Sequence, residues 1–365
     1  MKILMAVYNY LNTDARVQRA ANALKDKFDL TLVGIEDSYE NDGLTLVKLP
    51  LRGKTHSLRY YNFCKDLIKY ARTHKFDLYY FHDLYMAYPL LRLKKLQKSI
   101  PNIYDCHETI FPQKGVRFSL RDYFFYHFDR KATIKADYVV CAQIDRGKII
   151  QERYNLKTLP TIVNNISILY DNCIKLDEQL QHKLDLFFES SLFSVVYAGG
   201  INEDRNLSPL IDAIKNTSYS LLLIGYGNAY SKIEQKIKDE NISNCLLLGK
   251  VPYKCLGQII KKCNCGYVSY GTFDVNNKYC ASNKVYEYCS VNVPILATYN
   301  PTIEKVVNNY SIGVCSDDIS LALDNLHKNY ETYRQNTFVF NQDNRWEEDE
   351  KRLQQLVENV LKQQK

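Results

Sequence analysis

Long apolar runs and export signals are both missing from this sequence of 365 residues. The longest uncharged apolar stretches, such as residues 3–8 and 221–224, have the length of single strands, whereas a membrane-spanning helix needs about 20 such residues. Residues 1–7 lack the length and the small-residue cleavage site of a secretory signal. We therefore expect a soluble protein that works in the cytoplasm.

A regular cysteine framework is also missing, although the chain has 11 cysteines. Their number is odd and their spacing is irregular, and the closest pair, Cys263 and Cys265, has no nearby histidine to complete a metal site. No acidic metal-binding motif is evident either. We predict reduced cysteines that act as small apolar residues, and neither a metal ion nor another cofactor.

The positive charge of the chain is unevenly distributed. The net charge is +7, but residues 1–180 hold 28 Lys and Arg against 20 Asp and Glu, whereas residues 181–365 hold 20 against 21. This excess in the first half favours an anionic partner, such as a membrane surface or a phosphorylated substrate. We expect no nucleic-acid partner, because no helix-turn-helix, zinc-finger or RNA-binding motif accompanies the charge.

Short apolar runs alternate with longer amphipathic stretches along most of the chain. The pattern predicts helices at residues 14–27, 57–73 and 84–97, and strands at residues 2–7, 30–33, 77–81, 102–105, 138–141, 193–198, 221–224, 245–248, 266–269 and 294–297. Such alternation is typical of parallel sheets covered by helices. The predicted fold is α/β, with two doubly wound Rossmann-like domains facing across a cleft that is the default active site.

A polar interruption at residues 160–192 sets the predicted domain limits. The first domain is predicted at residues 1–165, followed by a linker at 166–192 and a second domain at 193–335. Residues 336–365 are predicted to form a C-terminal helical segment that packs back toward the first domain.

Two glycine-containing loops follow predicted strands of the second domain. In the first, Gly199 and Gly200 let the backbone approach a ligand closely, and Arg205 precedes a helix start, which suits a diphosphate. The second has Gly225 and Gly227 at a tight strand-to-helix turn. The alternative is an ordinary glycine turn beside a solvated arginine, and a Gly-x-Gly turn alone is a weak signal.

A third loop, at residues 281–288, is more specific. Ser282 and Asn283 offer a cap and free amides at the start of a helix, where the cation of Lys284 can meet a phosphate. Glu287 lies three positions later on the same helix face and can bind two ribose hydroxyls. The alternative is a common intrahelical Lys–Glu surface pair. All three loops end strands of one sheet, so we expect them along one edge.

These motifs resemble those of glycosyltransferases with the GT-B fold, in the family 4-like (group 1) set of nucleotide-sugar enzymes. The resemblance is spread over nearly the whole chain, at residues 12–17, 104–108, 199–207, 250–256 and 282–297 and at Trp346. It implies a hexosyltransferase-type enzyme (EC 2.4) that binds its acceptor in the first domain and its nucleotide-sugar donor in the second.

The resemblance also implies roles for residues of the second domain. Arg205 and Lys284 would neutralise the donor diphosphate as the leaving group develops charge, and Glu287 would hold the ribose hydroxyls. The backbone around Lys250 and Val251 would contact the base. The predicted nucleotide-sugar contacts are Gly199, Gly200, Arg205, Gly225, Gly227, Lys250, Val251, Ser282, Asn283, Lys284 and Glu287.

In the first domain, the resemblance implies that His107 faces the transferred sugar, which adds it to Arg205, Lys284 and Glu287 as a catalytic candidate. A lone histidine is more often a packing residue, but this one follows a predicted strand and has a glutamate beside it. Arg16 and Glu108 are candidates for the acceptor side.

One departure from the family pattern concerns the donor sugar. Tyr279 stands where many relatives carry a second carboxylate, eight positions before Glu287, and the nearest upstream acid is Asp274. The resemblance implies transfer from a UDP- or GDP-linked sugar to a glycan or lipid-linked acceptor in capsule, O-antigen or exopolysaccharide synthesis, with retention of configuration and without a metal ion. The alternatives are a nucleotide-sugar 2-epimerase of the same fold and a non-catalytic GT-B partner subunit.

Two basic segments in the first half bear on the acceptor. Residues 92–98 are rich in lysine, and residues 114–135 interleave basic side chains with Phe and Tyr rings. Such a combination suits a lipid headgroup boundary, which leads to the hypothesis of peripheral docking on the inner face of the cell membrane. The alternative is that the rings pack into the domain core while the cations are solvated.

Overall fold

The computed structural model describes residues 1–113, 115–170 and 175–363. Its strands are β1 (Lys2–Tyr10), β2 (Asp29–Ile35), β3 (Thr45–Leu49), β4 (Leu78–His82), β5 (Asn102–Cys106), β6 (Tyr138–Cys141), β7 (Thr161–Ile162), β8 (Phe193–Ala198), β9 (Tyr219–Ile224), β10 (Cys245–Gly249), β11 (Cys265–Val268), β12 (Ile295–Ala297) and β13 (Gly313–Cys315).

The helices occupy most of the remaining chain. They are α1 (Ala15–Lys25), α2 (His56–Thr73), α3 (Ala87–Leu96), α4 (Leu120–Lys135), α5 (Ile144–Tyr154), α6 (Glu178–Ser190), α7 (Ser208–Ile214), α8 (Tyr230–Asp239), α9 (Leu256–Ile260), α10 (Val275–Lys278), α11 (Asn283–Ser290), α12 (Pro301–Tyr310), α13 (Ile319–Lys328), α14 (Tyr330–Asp343) and α15 (Trp346–Lys362). The chain forms two compact units, one of Met1–Asn165 with Trp346–Lys365 and one of Ile166–Arg345.

The first unit is built on a parallel sheet of seven strands in the order β3-β2-β1-β4-β5-β6-β7. Alternate residues of β1, namely Ile3, Met5 and Val7, point into an apolar core that they share with α1 and α15. Chain order reverses between β1 and β4, so the carboxyl ends of β1, β4 and β5 lie side by side. Ligands of doubly wound sheets bind at this kind of edge.

The second unit repeats this design with six parallel strands in the order β10-β9-β8-β11-β12-β13. Successive residues of β8 enter different cores, because side chains alternate between the two faces of a strand. Val196 and Ala198 join the core that includes α11, whereas Val195 and Tyr197 join the core that includes α7 and α13. The sheet is therefore covered on both faces, and the prediction of two doubly wound α/β domains is confirmed.

Three strands were not predicted from the sequence. The strand β3 lies at the edge of its sheet and is only half-buried, so it lacks the continuous apolar run of a central strand. The strands β7 and β13 have two and three residues, too few for a periodic signal. The helix predicted at residues 84–97 begins as a 3₁₀ turn, Leu84–Met86, before α3.

The limits of the compact units can be compared with the predicted domain limits, with which they share one boundary. Both place a division after residue 165, but residues 166–192, predicted as a linker, include the regular helix α6. The C-terminal segment divides at residue 345, so that α14 lies in the second unit and α15 in the first. On α15, Leu353 and Val357 are buried in the core that contains Leu24 of α1.

The described cysteines are free thiols and most of them are buried. Ten cysteines are described, all of them free, and eight are buried. Cys173 lies outside the described residues. Among the helices that the structure describes, none is long and apolar enough to cross a membrane.

Candidate functional site

The two glycine loops interlock at the carboxyl ends of β8 and β9. The amide of Gly199 donates to the carbonyl oxygen of Ile224 at 2.9 Å, and the amide of Gly225 donates to that of Gly249 at 2.8 Å. Gly225 has a φ of +137°, and a Cβ built there would overlap the carbonyl oxygen of Gly199. Glycine is required at this position because two backbones touch.

A side-chain amide continues this contact between the loops. Asn202 Oδ1 accepts from the amide of Asn228 at 3.2 Å, and Asn228 Oδ1 accepts from the amide of Glu203 at 3.0 Å. A Cβ on Gly227 would overlap Asn202 and the carbonyl of Ile201. The loops after β8 and β9 are thereby held as one rigid surface at the sheet edge.

Lys284, in the first turn of α11, reaches this surface. Its ammonium lies against Gly199, where it would meet any added Cβ, and stands 5.3 Å from the ring centroid of Tyr197. Burial opposes the positive charge, but Tyr270, Tyr197 and Glu287 outweigh it and raise the pKa of Lys284. The side chain is therefore a cation at neutral pH.

Arg205 is held beside Lys284 by contacts that the sequence does not reveal. Its guanidinium carbon lies 4.2 Å from the ring centroid of Tyr270, and its Nη1 lies 3.5 Å from Asn277 Oδ1. Asn277 is in turn fixed by Asp274, which accepts from its backbone amide at 2.8 Å and from its side-chain amide at 2.6 Å. Two neighbouring cations create a local field that favours an anion.

Two polar oxygens at the start of α11 are buried without a hydrogen-bond partner. Ser282 Oγ and Asn283 Oδ1 have none among the described residues, and Ser282 makes no side-chain bond to cap the helix. A buried polar atom of this kind normally has a partner. Together with the free amides of the first helical turn, the two side chains form a site that suits an anion carrying hydrogen-bond donors.

Glu287 is oriented by two hydroxyl groups. Its Oε1 accepts from Ser167 Oγ and from Tyr253 Oη, both at 3.1 Å, and these two hydroxyls lie 2.8 Å apart. The carboxylate is one helical turn after Lys284, as the spacing predicts. Ser167 and Tyr253 were not predicted. Only Tyr253 had a sequence signal, because it follows directly after residues 250–252 of the resembling segment.

Lys250 and Val251 lie past the carboxyl end of β10, next to the second glycine loop. The Lys250 ammonium stands 5.5 Å from the ring centroid of the exposed Tyr226, and Val251 is half-buried against the apolar core. The structure thus brings the eleven predicted donor residues to the ends of β8, β9 and β10 and to the start of α11.

A second cluster of polar residues lies in the first unit, at the ends of β4 and β5. Asp105 accepts from Arg16 Nη2 at 2.8 and 3.2 Å and from Tyr80 Oη at 3.1 Å. His82 Nδ1 lies 3.3 Å from Asp105 Oδ2 and 3.1 Å from His107 Nε2. The buried carboxylate therefore lies next to His82, and His82 in turn contacts His107.

The charges of this cluster follow from its burial. Burial opposes ionisation of Asp105, but Arg16, followed by His107 and His82, holds its pKa well below the usual range. Burial, with Asp105 only partly offsetting it, lowers the pKa of His107 to about 3. His107 is therefore a neutral imidazole at physiological pH, able to donate from one ring nitrogen and accept at the other.

The two acceptor-side candidates differ in their surroundings. Arg16 has only 9% of its side chain exposed, and it also donates to the carbonyl oxygen of Val163 at 2.9 Å, so it faces inward and holds Asp105. Glu108 is exposed. The sequence analysis missed His82 and Asp83, although they end β4 much as His107 and Glu108 follow β5.

Asp83 is an unusual residue at this edge. It has a φ of +72°, and its backbone amide donates to the carbonyl of Asp105 at 2.9 Å. Burial and the nearby charge of Glu108 raise the pKa of Asp83 well above the usual carboxyl value. A non-glycine residue in the left-handed region is costly, and such residues often occur at functional sites.

Among the described residues, His82, Asp105 and His107 are the group whose donor atoms could hold a metal ion, since these atoms lie within 4.8 Å of one another. Both oxygens of Asp105 already accept from Arg16, whose positive charge opposes a second cation. The expected independence from metal stays a prediction.

Comparisons with known proteins concern the chain as a whole. No protein-family model matches the chain. The sequence is 25% identical over 274 residues to an uncharacterized glycosyltransferase of Methanocaldococcus jannaschii, with 72% of this chain and 71% of that protein covered. The resemblance to glycosyltransferases is confirmed.

Solved structures of GT-B glycosyltransferases share the whole architecture. Anabaena HepE in complex with UDP has a TM-score of 0.69 at 15% identity, with both chains covered completely. WaaG, a glycosyltransferase involved in lipopolysaccharide biosynthesis, has a TM-score of 0.73 at 11% identity over 97% of this chain and 99% of its own. The predicted GT-B fold is thereby confirmed. The predicted class of enzyme agrees with the Methanocaldococcus jannaschii relative, whose name is that of a glycosyltransferase.

The basic and aromatic segment of the first unit lies largely on α4. Phe125 is buried, whereas Tyr123 and Phe124 are exposed and Leu120 is 90% exposed. Lys114, the first residue of the predicted segment, lies outside the described residues. Some rings pack into the unit and others face solvent, and docking of the segment on a membrane stays a prediction.

Proposed function

We propose that this glycosyltransferase transfers a sugar from a UDP- or GDP-linked donor to a glycan or lipid-linked acceptor in the synthesis of capsule, O-antigen or exopolysaccharide. The observation that carries the donor proposal is the pair of cations, Arg205 and Lys284, beside the unpaired oxygens at the start of α11. The HepE structures contain UDP and UDP-glucose, which supports a nucleotide-sugar donor.

The cations act on the leaving group. When the bond between the anomeric carbon and the diphosphate breaks, negative charge develops on the diphosphate oxygens, and fixed cations stabilise it. These side chains would supply the charge that a divalent ion supplies in other enzymes, so we propose catalysis without a metal ion. Retention of configuration is proposed from the resemblance to the family 4-like enzymes.

Glu287 orients the nucleotide. A carboxylate accepts hydrogen bonds only, and two vicinal ribose hydroxyls can donate to it. In both described hydrogen bonds to the Glu287 carboxylate, Oε1 is the acceptor, and the donors are Ser167 and Tyr253. A ribose would bind at Oε2. The base would lie toward Lys250 and Val251.

Further proposals concern the sugar-binding, acceptor-binding and membrane-binding residues of the first unit. The neutral imidazole of His107 would hydrogen-bond a hydroxyl of the transferred sugar, and Glu108 would contact the acceptor. Arg16 acts through Asp105 and His82, which makes it a positioning residue. Exposed Leu120 and Tyr123 on α4, with Arg130 and Lys131 nearby, support peripheral association with the inner face of the membrane.

The donor proposal is tested by thermal unfolding in the presence of UDP, GDP and their sugars. A nucleotide at 100 times its dissociation constant stabilises the folded state by about 2.7 kcal/mol, which raises the melting temperature measurably. Lys284→Ala and Glu287→Ala should abolish the shift. Matched exposed positions of the same unit, in Lys232→Ala and Glu189→Ala, should leave it unchanged.

Two results would contradict this proposal. If both site variants respond to every nucleotide as the wild type does, the donor site lies elsewhere. If the enzyme converts a nucleotide-sugar efficiently without any acceptor, an epimerase fits better than a transferase.

A further inference from the structure

A cavity of about 410 Å³ lies in the first unit, between α2, α4 and the turn that follows β4. Seven of its ten lining side chains are Tyr or Phe, and the principal ones are Tyr8, Tyr60, Tyr85, Phe124 and Phe125. This volume is within the range of sites that bind small organic ligands. The roles assigned so far to His107, Glu108 and Arg16 make no use of it.

The aromatic walls are packed against one another. The ring centroids of Tyr8 and Tyr60 are 5.3 Å apart, those of Tyr60 and Phe125 are 5.4 Å apart, and those of Tyr85 and Phe125 are 4.8 Å apart, all with steeply inclined planes. Edge-to-face packing of this kind is favourable and fixes each ring. The cavity is therefore formed before a ligand arrives.

The hydroxyl groups of two central tyrosines are already engaged. Tyr60 Oη donates to the carbonyl oxygen of Tyr85 at 2.8 Å, and Tyr85 Oη accepts from Arg121 Nη2 at 3.1 Å. Tyr60 Oη has thereby used its proton, whereas Tyr85 Oη keeps its own, and most of the wall is aromatic ring surface and not hydroxyl. The walls favour an apolar occupant, whose burial is driven by the hydrophobic effect.

The surroundings of the cavity are basic. Arg121 lines it, and two neighbouring grooves of about 590 and 540 Å³ contain Lys65, Lys69, Arg72 and Arg92 in one and Arg130, Lys131 and Lys135 in the other. The larger groove shares Tyr61 and Tyr88 with the cavity. Among the described residues, no acidic side chain lines any of the three concavities. An apolar occupant with an anionic end matches this distribution.

We propose that the cavity binds the phosphate-proximal hydrocarbon of a phosphate-bearing lipid, with the phosphate at Arg121. This inference rests on the proposed function and names the acceptor class as a lipid-linked phosphate. Arginine is suited to the anion because its guanidinium makes paired, charge-assisted bonds to phosphate oxygens. The hydrocarbon lies against the rings of Tyr8, Tyr60 and Phe125.

The position of the cavity agrees with an acceptor role. Tyr8 is near the carboxyl end of β1, Tyr85 is in the turn after β4, and His107 follows β5. These three strands are neighbours in the sheet, so the cavity opens along the edge at which His107 lies. A lipid phosphate held at Arg121 keeps its attached glycan at that edge.

The test is a calorimetric titration of the full chain with farnesyl phosphate in the absence of any nucleotide. Farnesol and inorganic phosphate serve as probes of each half of the ligand, and both should bind at least about tenfold more weakly. Ser57→Trp fills the cavity from its rim and should abolish binding. Phe124→Ser and Arg121→Gln should each weaken it about tenfold. Leu120→Ser, on the same helix but outside the cavity, should have no effect.

Thermal unfolding of each variant, with and without UDP, accompanies the titration. The inference is overturned if farnesyl phosphate fails to bind, if it binds to Ser57→Trp as to wild type, or if Leu120→Ser is as harmful as Phe124→Ser. A retained UDP shift together with absent farnesyl phosphate binding means that this inference alone has failed. Farnesyl phosphate binding by a protein that neither UDP, GDP nor their sugars stabilise means that the donor proposal has failed.

Discussion

At the scale of single residues, Asp129 shows how burial sets the charge of a side chain. It lies on the inner face of α4 and accepts a 2.6 Å hydrogen bond from Tyr104. Burial raises the pKa of this carboxyl to about 7. The carboxyl is thus protonated in the folded protein at a pH at which the unfolded chain has already lost the proton.

This difference predicts a pH-dependent effect of Asp129→Asn. Between about pH 4 and pH 7 the folded state binds the proton and the unfolded state does not, so wild-type stability falls as the pH rises through 7. The Asp129→Asn variant has no carboxyl group at this position, so its stability does not show this fall with rising pH. Its free energy of unfolding relative to wild type should rise by up to about 4 kcal/mol from pH 4 to pH 8, measured by urea titration.

Asp122 on the same helix is the control for this experiment. Hydrogen bonds from Ser119 lower its pKa, so Asp122→Asn should be the less stable protein at neutral pH and should lose that disadvantage in acid. A pH-independent difference between wild type and Asp129→Asn would show that Asp129 titrates normally.

The sequence predicted those site residues whose relation is local. Lys284 and Glu287 share a helix face because of their spacing. The glycines were predicted from their residue type, because glycine after a strand indicates a tight turn. The residues that hold this site, such as Ser167 for Glu287 and Asn277 for Arg205, act across long chain separations. No periodicity records such contacts, so only the folded chain shows them.

At the scale of elements, α15 completes the core of the first unit. Leu353, Val357 and Val360 are buried together with Ala21 and Leu24 of α1, and Gln354 Nε2 donates to the carbonyl of Ala23 at 2.7 Å. The helix is amphipathic, with its apolar residues spaced by three and four positions.

Truncation of one such side chain should destabilise the unit. Leu353→Ala removes a fully buried leucine and leaves a cavity. We expect the free energy of unfolding to fall by about 2 to 5 kcal/mol. Urea unfolding followed by circular dichroism measures it. Gln355→Ala, at an exposed position of the same helix, should change stability by less than about 0.5 kcal/mol. Equal effects of the two variants would contradict the packing described for α15.

Elements were predictable where a strand is buried on both faces. The central strands β1 and β4 contain unbroken apolar runs, and β8 and β9 are each interrupted only by one serine. The strand β5 also contains Asn102 and Asp105. The edge strand β10 was predicted from its apolar run at residues 245–248, whereas the edge strands β3 and β7 have no such run. The helix α4 was harder to interpret, because apolar side chains occur all around it and its buried residues include Asp129 and Thr133.

At the scale of the whole molecule, the positive excess of residues 1–180 predicts salt-sensitive membrane binding. The exposed side chains of α4 include the apolar Leu120 and Tyr123 and the basic Arg130 and Lys131. Vesicles that contain phosphatidylserine should carry the protein upward in flotation at low salt. The bound fraction should fall at about 0.5 M salt, where charges more than a few ångströms apart are screened.

A charge-matched pair of variants makes this experiment specific. Arg130→Gln combined with Lys131→Gln should reduce flotation, because the two cations lie on the proposed contact face. Lys232→Gln combined with Lys328→Gln removes the same charge from exposed positions of the second unit and should not. Binding that ignores salt and both pairs of substitutions would contradict membrane docking through α4.

Because α15 belongs to the first unit, the two units cannot fold in the order in which they begin along the chain during synthesis. Residues 166–345 are contiguous, so the second unit can complete its core as soon as they have left the ribosome. The first unit begins to emerge earlier but lacks α15 until residues 346–362 appear, and until then the side of α1 that packs on α15 is uncovered. A nascent chain that stops near residue 345 would expose that surface, which makes it a substrate for chaperones and proteases.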